Sequence, residues 1–160
     1  MIKLHMSQLE KQSVSLSGDE PAEFLDLGPH ASFEVASPMH YELRAQLMSG
    51  GILVTGSLSY RISGECGRCL KQVSPEIRVT DFAFDVERPN TEEVDISEEV
   101  REEALLVLPF NLLCSEDCKG LCGQCGADLN EGDCGCPPPA DPGPPPEENP
   151  WAALDQLDLK

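Results

Sequence analysis

At 160 residues the chain is long enough for one domain with a modest core. Its 29 acidic residues against 11 basic ones give a formal net charge of −18, which argues against an unaided grip on bare RNA or DNA and favours cationic partners. The opening MIKLHMSQLEKQSVSL lacks the apolar core and cleavage site of a secretory signal, and no apolar run approaches the ~18 residues of a membrane span. A cytoplasmic protein with no membrane association is expected.

In chain order, Ile2, Leu4 and Met6 alternate with Lys3 and His5, a short strand that gives way to the polar SQLEKQS. Residues 17–38, broken by Gly18, Pro21, Gly28, Pro29 and Pro38, read as mostly loop with short strands near Phe24–Leu27 and Ser32–Ala36. Next come two period-2 runs around Gly50-Gly51: Tyr41, Leu43, Ala45 and Leu47, then Ile52, Val54, Gly56, Leu58, Tyr60 and Ile62. They predict a β-hairpin with one buried face. After Cys66-Gly67-Arg68-Cys69, Ile77 and Val79 hold one parity and Phe82, Phe84 and Val86 the other. That phase change predicts a bulge or bend near Thr80-Asp81.

From Asp95 the spacing turns helical. Ile96, Val100, Ala104 and Val107 form the inner face, Asp95 or Ser97 is the cap, Leu105–Leu108 is the most buried turn, and Pro109 is the stop. The acids of 87–103 read as a solvated face. A Pro-rich linker spans 137–150, and 151–160, opening on Trp151, reads as a short docking helix. Residues 1–136 are expected to form one α+β domain: an antiparallel sheet able to curve into a barrel, a packing helix, and a Cys-rich zinc-binding C-terminal segment.

Six of the eight cysteines lie in CSEDCKGLCGQCGADLNEGDCGC, Cys114 to Cys136, and the other two in CGRC. Two Cys-x-x-Cys tetrads plus four further cysteines are a strong metal signal, because such a turn aims two sulfurs at one tetrahedral ion. In a reducing compartment, paired cysteines of this kind are more often ligands than disulfides. The nearest-neighbour grouping places Cys66, Cys69, Cys114 and Cys118 in one site and Cys122, Cys125, Cys134 and Cys136 in a second. The interleaved alternative pairs Cys66 and Cys69 with Cys122 and Cys125. Loop-closure entropy favours the first grouping. One or two structural zinc ions are expected, and filling both sites would take the formal charge to about −22.

Redox chemistry of the thioredoxin kind wants CxxC at a helix N-terminus, whereas CGRC bridges two strands. The histidines, His5, His30 and His40, form no metal-binding pair, and no HExxH, Ser-His-Asp or phosphate-cradling glycine motif is present. A non-enzyme is expected, with no catalytic residues.

The CGRCL tetrad after a hairpin, an acidic helix running into Leu108-Pro109, the run LLCSEDCKGLCGQCGADLNEGDCGC and the terminal NPWAALDQL together resemble the YceD family, the large ribosomal RNA subunit accumulation proteins. The likeness runs from about Tyr41 to the end. Where members often carry Asp-Pro-Arg ahead of the terminal aromatic residue, this chain has Glu148-Asn149-Pro150-Trp151. The resemblance implies a bacterial factor for 23S rRNA accumulation or processing and large-subunit assembly. The charge then implies that its partner is a basic ribosomal protein or an assembly intermediate, with rRNA contacted indirectly. Arg61, Arg68, Lys71 and Arg78 are the candidates for a local RNA contact. The rival readings are a generic zinc-ribbon interaction module outside ribosome assembly and an enzyme of RNA processing or redox.

Overall fold

The computed structural model describes residues 1–28, 31–87 and 90–137; His30, the Pro-rich stretch from 138 and the Trp151 segment lie outside them. The chain divides into two compact units, 1–120 and 121–160. Among the described residues the first holds every strand and helix, in the order β1 (Lys3–His5), α1 (Met6–Leu9), β2 (Val14–Glu20), a 3-10 turn (Ala22–Leu25), β3 (Phe33–Val35), β4 (Met39–Leu47), β5 (Gly51–Glu65), β6 (Gln72–Val73), β7 (Glu76–Glu87), β8 (Glu93–Asp95) and α2 (Ser97–Leu106).

Strand β5 is the spine. Strand β4 pairs antiparallel along one flank, from Leu47↔Ile52 to His40↔Ser59, and β2 extends that flank. Strand β7 covers the other flank from Gly51↔Glu87 to Arg61↔Glu76. Beyond them, β3 and β6 pair with the last residues of β5. A separate two-stranded sheet joins β1 to β8. The architecture is a mostly antiparallel sheet with one packing helix, and among the described residues it does not close into a barrel.

The expected hairpin is present, and its even-numbered face is the core: Ile52, Val54, Leu58, Tyr60 and Ile62 are all buried. Of the turn glycines, Gly51 is required by packing, since a Cβ there would come within 2.3 Å of the Val86 carbonyl oxygen. The bulge also falls where the phase change put it. Between Gly56↔Phe82 and Leu58↔Val79, Ser57 faces both Thr80 and Asp81. Asp81 takes a left-handed φ of 60°, a conformation that aspartate tolerates better than most residues. The switch keeps Val79 and Phe82 both buried.

Several expectations are corrected. Strand β2 runs Val14–Glu20, where loop was expected from Ser17 onward, and Val14, Leu16, Gly18 and Glu20 are its half-buried positions. The segment near Phe24–Leu27 is a 3-10 turn that buries Leu25, not a strand, while the expected strand at Ser32–Ala36 is β3. Part of SQLEKQS is helical, with Met6 and Leu9 buried. Helix α2 buries Ile96, Val100 and Ala104, but Leu106 is 77% and Val107 42% exposed, so Leu105–Leu108 is not its most buried turn. The helix ends at Leu106, and beyond it Leu108 and Leu112 turn toward the core while Val107 and Phe110 face solvent.

Polar contacts at both ends seat α2. At its start the Asp95 carboxylate accepts the Ser97 N–H at 3.0 Å, and Ser97 Oγ accepts the Ile2 N–H at 2.7 Å. The Ser97 hydroxyl and amide hold the Asp95 carboxyl below its usual range. At its end the buried Tyr60 hydroxyl donates to the Ala104 carbonyl at 2.6 Å, and burial pushes its pKa up to about 12. Tyr60→Phe leaves that carbonyl short of a partner. It should cost about 1 kcal/mol, or about 4 °C in Tm, read by thermal unfolding; an unchanged Tm would contradict the role given to this contact.

Candidate metal centres

The even parity of β5 that buries Tyr60 and Ile62 continues through Gly64 to Cys66, which has no solvent exposure. Leu112 packs over Gly64, where an added Cβ would come 2.9 Å from Leu112 Cδ1. Chain direction alone therefore delivers the first sulfur to the end of the core, beside the segment that follows α2. The Gly67 N–H donates to the Leu112 carbonyl at 2.8 Å and holds that segment in place.

Four sulfurs meet there, from Cys66, Cys69, Cys114 and Cys118, all within 4.8 Å of one another. Cys66 and Cys118 Sγ are 3.8 Å apart and Cys69 and Cys114 Sγ 3.6 Å. A disulfide needs about 2.05 Å. A tetrahedral ion with metal–sulfur bonds of about 2.3 Å sets its sulfurs about 3.8 Å apart. The donors fit a four-thiolate metal site. In the second unit Cys122, Cys125, Cys134 and Cys136 form another cluster under the same 4.8 Å limit. The nearest-neighbour grouping is the one the structure brings together.

The two tetrads share one backbone device. In the first, Cys66 N–H donates to the Lys71 carbonyl at 2.8 Å and Leu70 N–H to the Cys66 carbonyl at 2.9 Å. In the second, Cys122 N–H donates to Ala127 at 2.8 Å and Gly126 N–H to Cys122 at 2.9 Å. Each closure needs a left-handed residue directly after the second cysteine. Gly126 supplies it with φ 74°, whereas Leu70 adopts φ 60° with a full side chain. The cramped Cys134-Gly135-Cys136 spacing is accommodated by Gly135 at φ 71°, with its N–H donated to Asp133 Oδ1 at 3.0 Å.

These turns aim amides at the leading sulfur of each site. The N–H groups of Arg68 and then Cys69 lower the Cys66 thiol to about 6 against the opposing effect of burial. Those of Cys125 and Gln124 lower Cys122 to about 6. Cys69 and Cys136 go the other way. The Lys71 amide lowers Cys69, but burial and the surrounding thiols push it up to about 12, and Cys136 rises to about 12 chiefly through Cys125 and Cys134. Once the leading sulfur of a cluster this tight is ionised, the raised thiols give up their protons only when a cation offsets the accumulating charge.

Of the basic candidates, Arg68 has a structural task that its sequence position did not signal. Its Nη1 donates to the Glu116 carbonyl at 3.0 Å and the Cys118 carbonyl at 2.9 Å, tying CGRC to the Cys114–Cys118 loop. Arg78 pairs with Glu76 at 2.9 Å, Arg61 lies exposed on β5, and Lys71 lies exposed in the CGRC loop. His40 faces Asp19 at 3.0 Å and His5 faces Glu93 at 3.6 Å, both at the surface and away from the cysteines.

Elemental analysis of the purified chain is expected to give about two metal ions per chain; none, with disulfides in their place, contradicts the assignment. Cys66→Ser should lower the unfolding temperature by about 10 °C or more, because metal binding there is part of the folding free energy. Cys122→Ser should lose about one ion and leave that transition nearly unchanged. Equal drops in unfolding temperature from the two variants would contradict the separation of the sites.

Comparison with known proteins gives the geometry a lineage. A chloroplast protein of Arabidopsis thaliana, named a large ribosomal RNA subunit accumulation protein YCED homolog, is 40% identical over 48 residues, 30% of this chain and 15% of its own. A protein of Mycobacterium tuberculosis of uncharacterized role is 36% identical over 103 residues, 55% of this chain and 50% of its own. The chain thus spans about half the length of the mycobacterial relatives it matches. No solved structure matches it. The family profile described as "Large ribosomal RNA subunit accumulation protein YceD" matches residues 54–158, a span that takes in most of β5, α2 and all eight cysteines, and the chain belongs to the YceD family.

Proposed function

We propose that the protein is a non-catalytic ribosome-biogenesis factor that promotes accumulation or processing of 23S rRNA and assembly of the large subunit. The observation that carries this reading is the family match over 54–158, the stretch that contains both four-cysteine clusters. Four-thiolate donor sets favour zinc among the abundant divalent ions. Zinc held this way supplies structure and charge compensation, with all four positions taken by protein. The family description names an accumulation factor rather than an enzyme, and the acidic helix together with the −18 charge points to binding as the mode of action.

The partner proposed is a basic ribosomal protein or an assembly intermediate whose RNA charge is already neutralised. A chain this acidic is repelled by free phosphate backbones. The site of action proposed is the cytoplasm; among the described residues no helix is long and apolar enough to cross a membrane.

Sucrose-gradient profiles of a deletion strain, with 23S rRNA measured alongside, test the reading. We expect fewer large subunits and less 23S rRNA, restored by the wild-type chain and not by the Cys66→Ser, Cys69→Ser double variant. Normal 23S rRNA and normal large subunits in the deletion strain would reject the ribosomal role and leave the generic interaction module in its place.

A further inference from the structure

Between α2 and the first cysteine cluster the chain keeps apolar side chains in water. Leu106 is 77% exposed, Val107 42%, Phe110 99% and Leu113 37%. A slack loop would fold such groups back toward the core, but this segment is fixed at both ends. The Tyr60 hydroxyl holds the Ala104 carbonyl at 2.6 Å. The Gly67 N–H holds the Leu112 carbonyl at 2.8 Å, one residue before Leu113 and two before Cys114. Leu70 follows Cys69, whose sulfur lies 3.6 Å from that of Cys114. It is 58% exposed and sits in a left-handed conformation. The corresponding position of the other tetrad holds Gly126. The CGRC turn sets that backbone conformation, but nothing inside the fold uses the exposed leucine side chain that stands where the other tetrad has glycine, and exposed apolar groups of this kind concentrate where a partner is met.

On the α2 side the charge beside this ridge is acidic, while at its metal-site end Arg68, Lys71 and Lys119 are exposed as well. On α2, Glu99, Glu102 and Glu103 stand seven, four and three residues before Leu106 and so share its face. Beyond the ridge Glu116 and Asp117 are exposed. The last turn of α2 contains no basic residue, so the negative end of the helix dipole meets no cation from its own helix. The base within α2, Arg101, is occupied by Glu98 at 3.0 Å and by the Leu25 carbonyl at 3.2 Å.

We infer that the ridge of Leu106, Val107, Phe110 and Leu113, with Leu70 at its metal-site end, docks a cationic protein segment that carries apolar anchors of its own. The apolar side chains demand anchors and the acidic rim demands Lys or Arg. A nucleic acid offers phosphates to the wrong sign of charge. Only the identity of the segment's owner rests on the ribosomal reading; the surface chemistry stands apart from it. Because the Cys114–Cys118 loop fixes one end of the ridge, docking requires a loaded first metal site.

The test titrates the metal-loaded full chain with a synthetic amphipathic peptide of about 14 residues, lysine on one helical face and leucine on the other. The comparison peptides are a scrambled version and an oligolysine of equal charge. The ordered peptide should bind about tenfold more tightly than either. A chain carrying Leu106→Ser and Phe110→Ser should bind it about tenfold more weakly, with metal content and Tm unchanged because both residues are exposed. Glu102→Lys should weaken binding as well, more at low salt than at high. Equal binding of the scrambled peptide or of oligolysine would overturn the proposal, as would undiminished binding by the serine variant. Without peptide, a shift in the emission of Trp151, the single tryptophan, caused by the serine substitutions would make the chain's own C-terminal segment the occupant. A dimer in sedimentation that those substitutions dissolve would make the occupant a second copy; either result overturns the proposal. Peptide docking beside normal large subunits in the deletion strain would sink the ribosomal role alone, and failed docking beside defective subunits would sink this surface alone.

Discussion

Four sulfur atoms from two distant parts of the chain lie within 4.8 Å of one another, and the larger unit is arranged around that convergence. Bringing Cys69 to Cys114 closes a separation of 45 residues, an entropic cost of about 3 kcal/mol before any contact is made. A structural zinc site returns about 10 kcal/mol or more, so the ion could hold the loop closed where the few apolar contacts of 105–118 would not. The protein reduces the remaining cost by placement. Strand β5 carries its buried face without interruption into Cys66, Tyr60 on the same face anchors α2 through Ala104, and Arg68 bonds to the carbonyls of Glu116 and Cys118.

Features with a strong local period were legible in the sequence. The hairpin showed as two period-2 runs, and the bulge as a parity switch between Val79 and Phe82 that only an extra residue could reconcile with one buried face. The grouping of the cysteines followed from loop length. What could not be read depends on contacts between distant segments. Strand β2 alternates only over Val14–Ser17 and ends in Gly18, Asp19 and Glu20, so its full length is defined by its pairing with β4. The run Leu105–Leu108 looked like the helix's most buried turn, because a single sequence does not reveal that Leu106 and Val107 face solvent while Leu105 and Leu108 only lean on the core. Leu70 carried no signal at all. Its left-handed backbone becomes intelligible only when the CGRC turn is compared with CGQC, where glycine fills the same place.

The two clusters differ in what they can do. The first is largely buried and links β5 to the segment after α2; the second lies within its own unit, with Cys125 exposed. Loss of the second would disturb a local knuckle, whereas loss of the first would free the apolar segment that α2 and CGRC hold between them. Charge and hydrophobicity are thus coupled through the first site: the acids of α2 set the sign of the partner, and the staple fixes the shape that partner would meet.

Hydrogen–deuterium exchange followed peptide by peptide, with and without a chelator, is the most direct test of this arrangement. Metal removal should expose the amides of 66–71 and 105–118, including Gly67, while the β4–β5 hairpin keeps its protection. Unchanged protection of 66–71 and 105–118 in metal-free protein would contradict the staple.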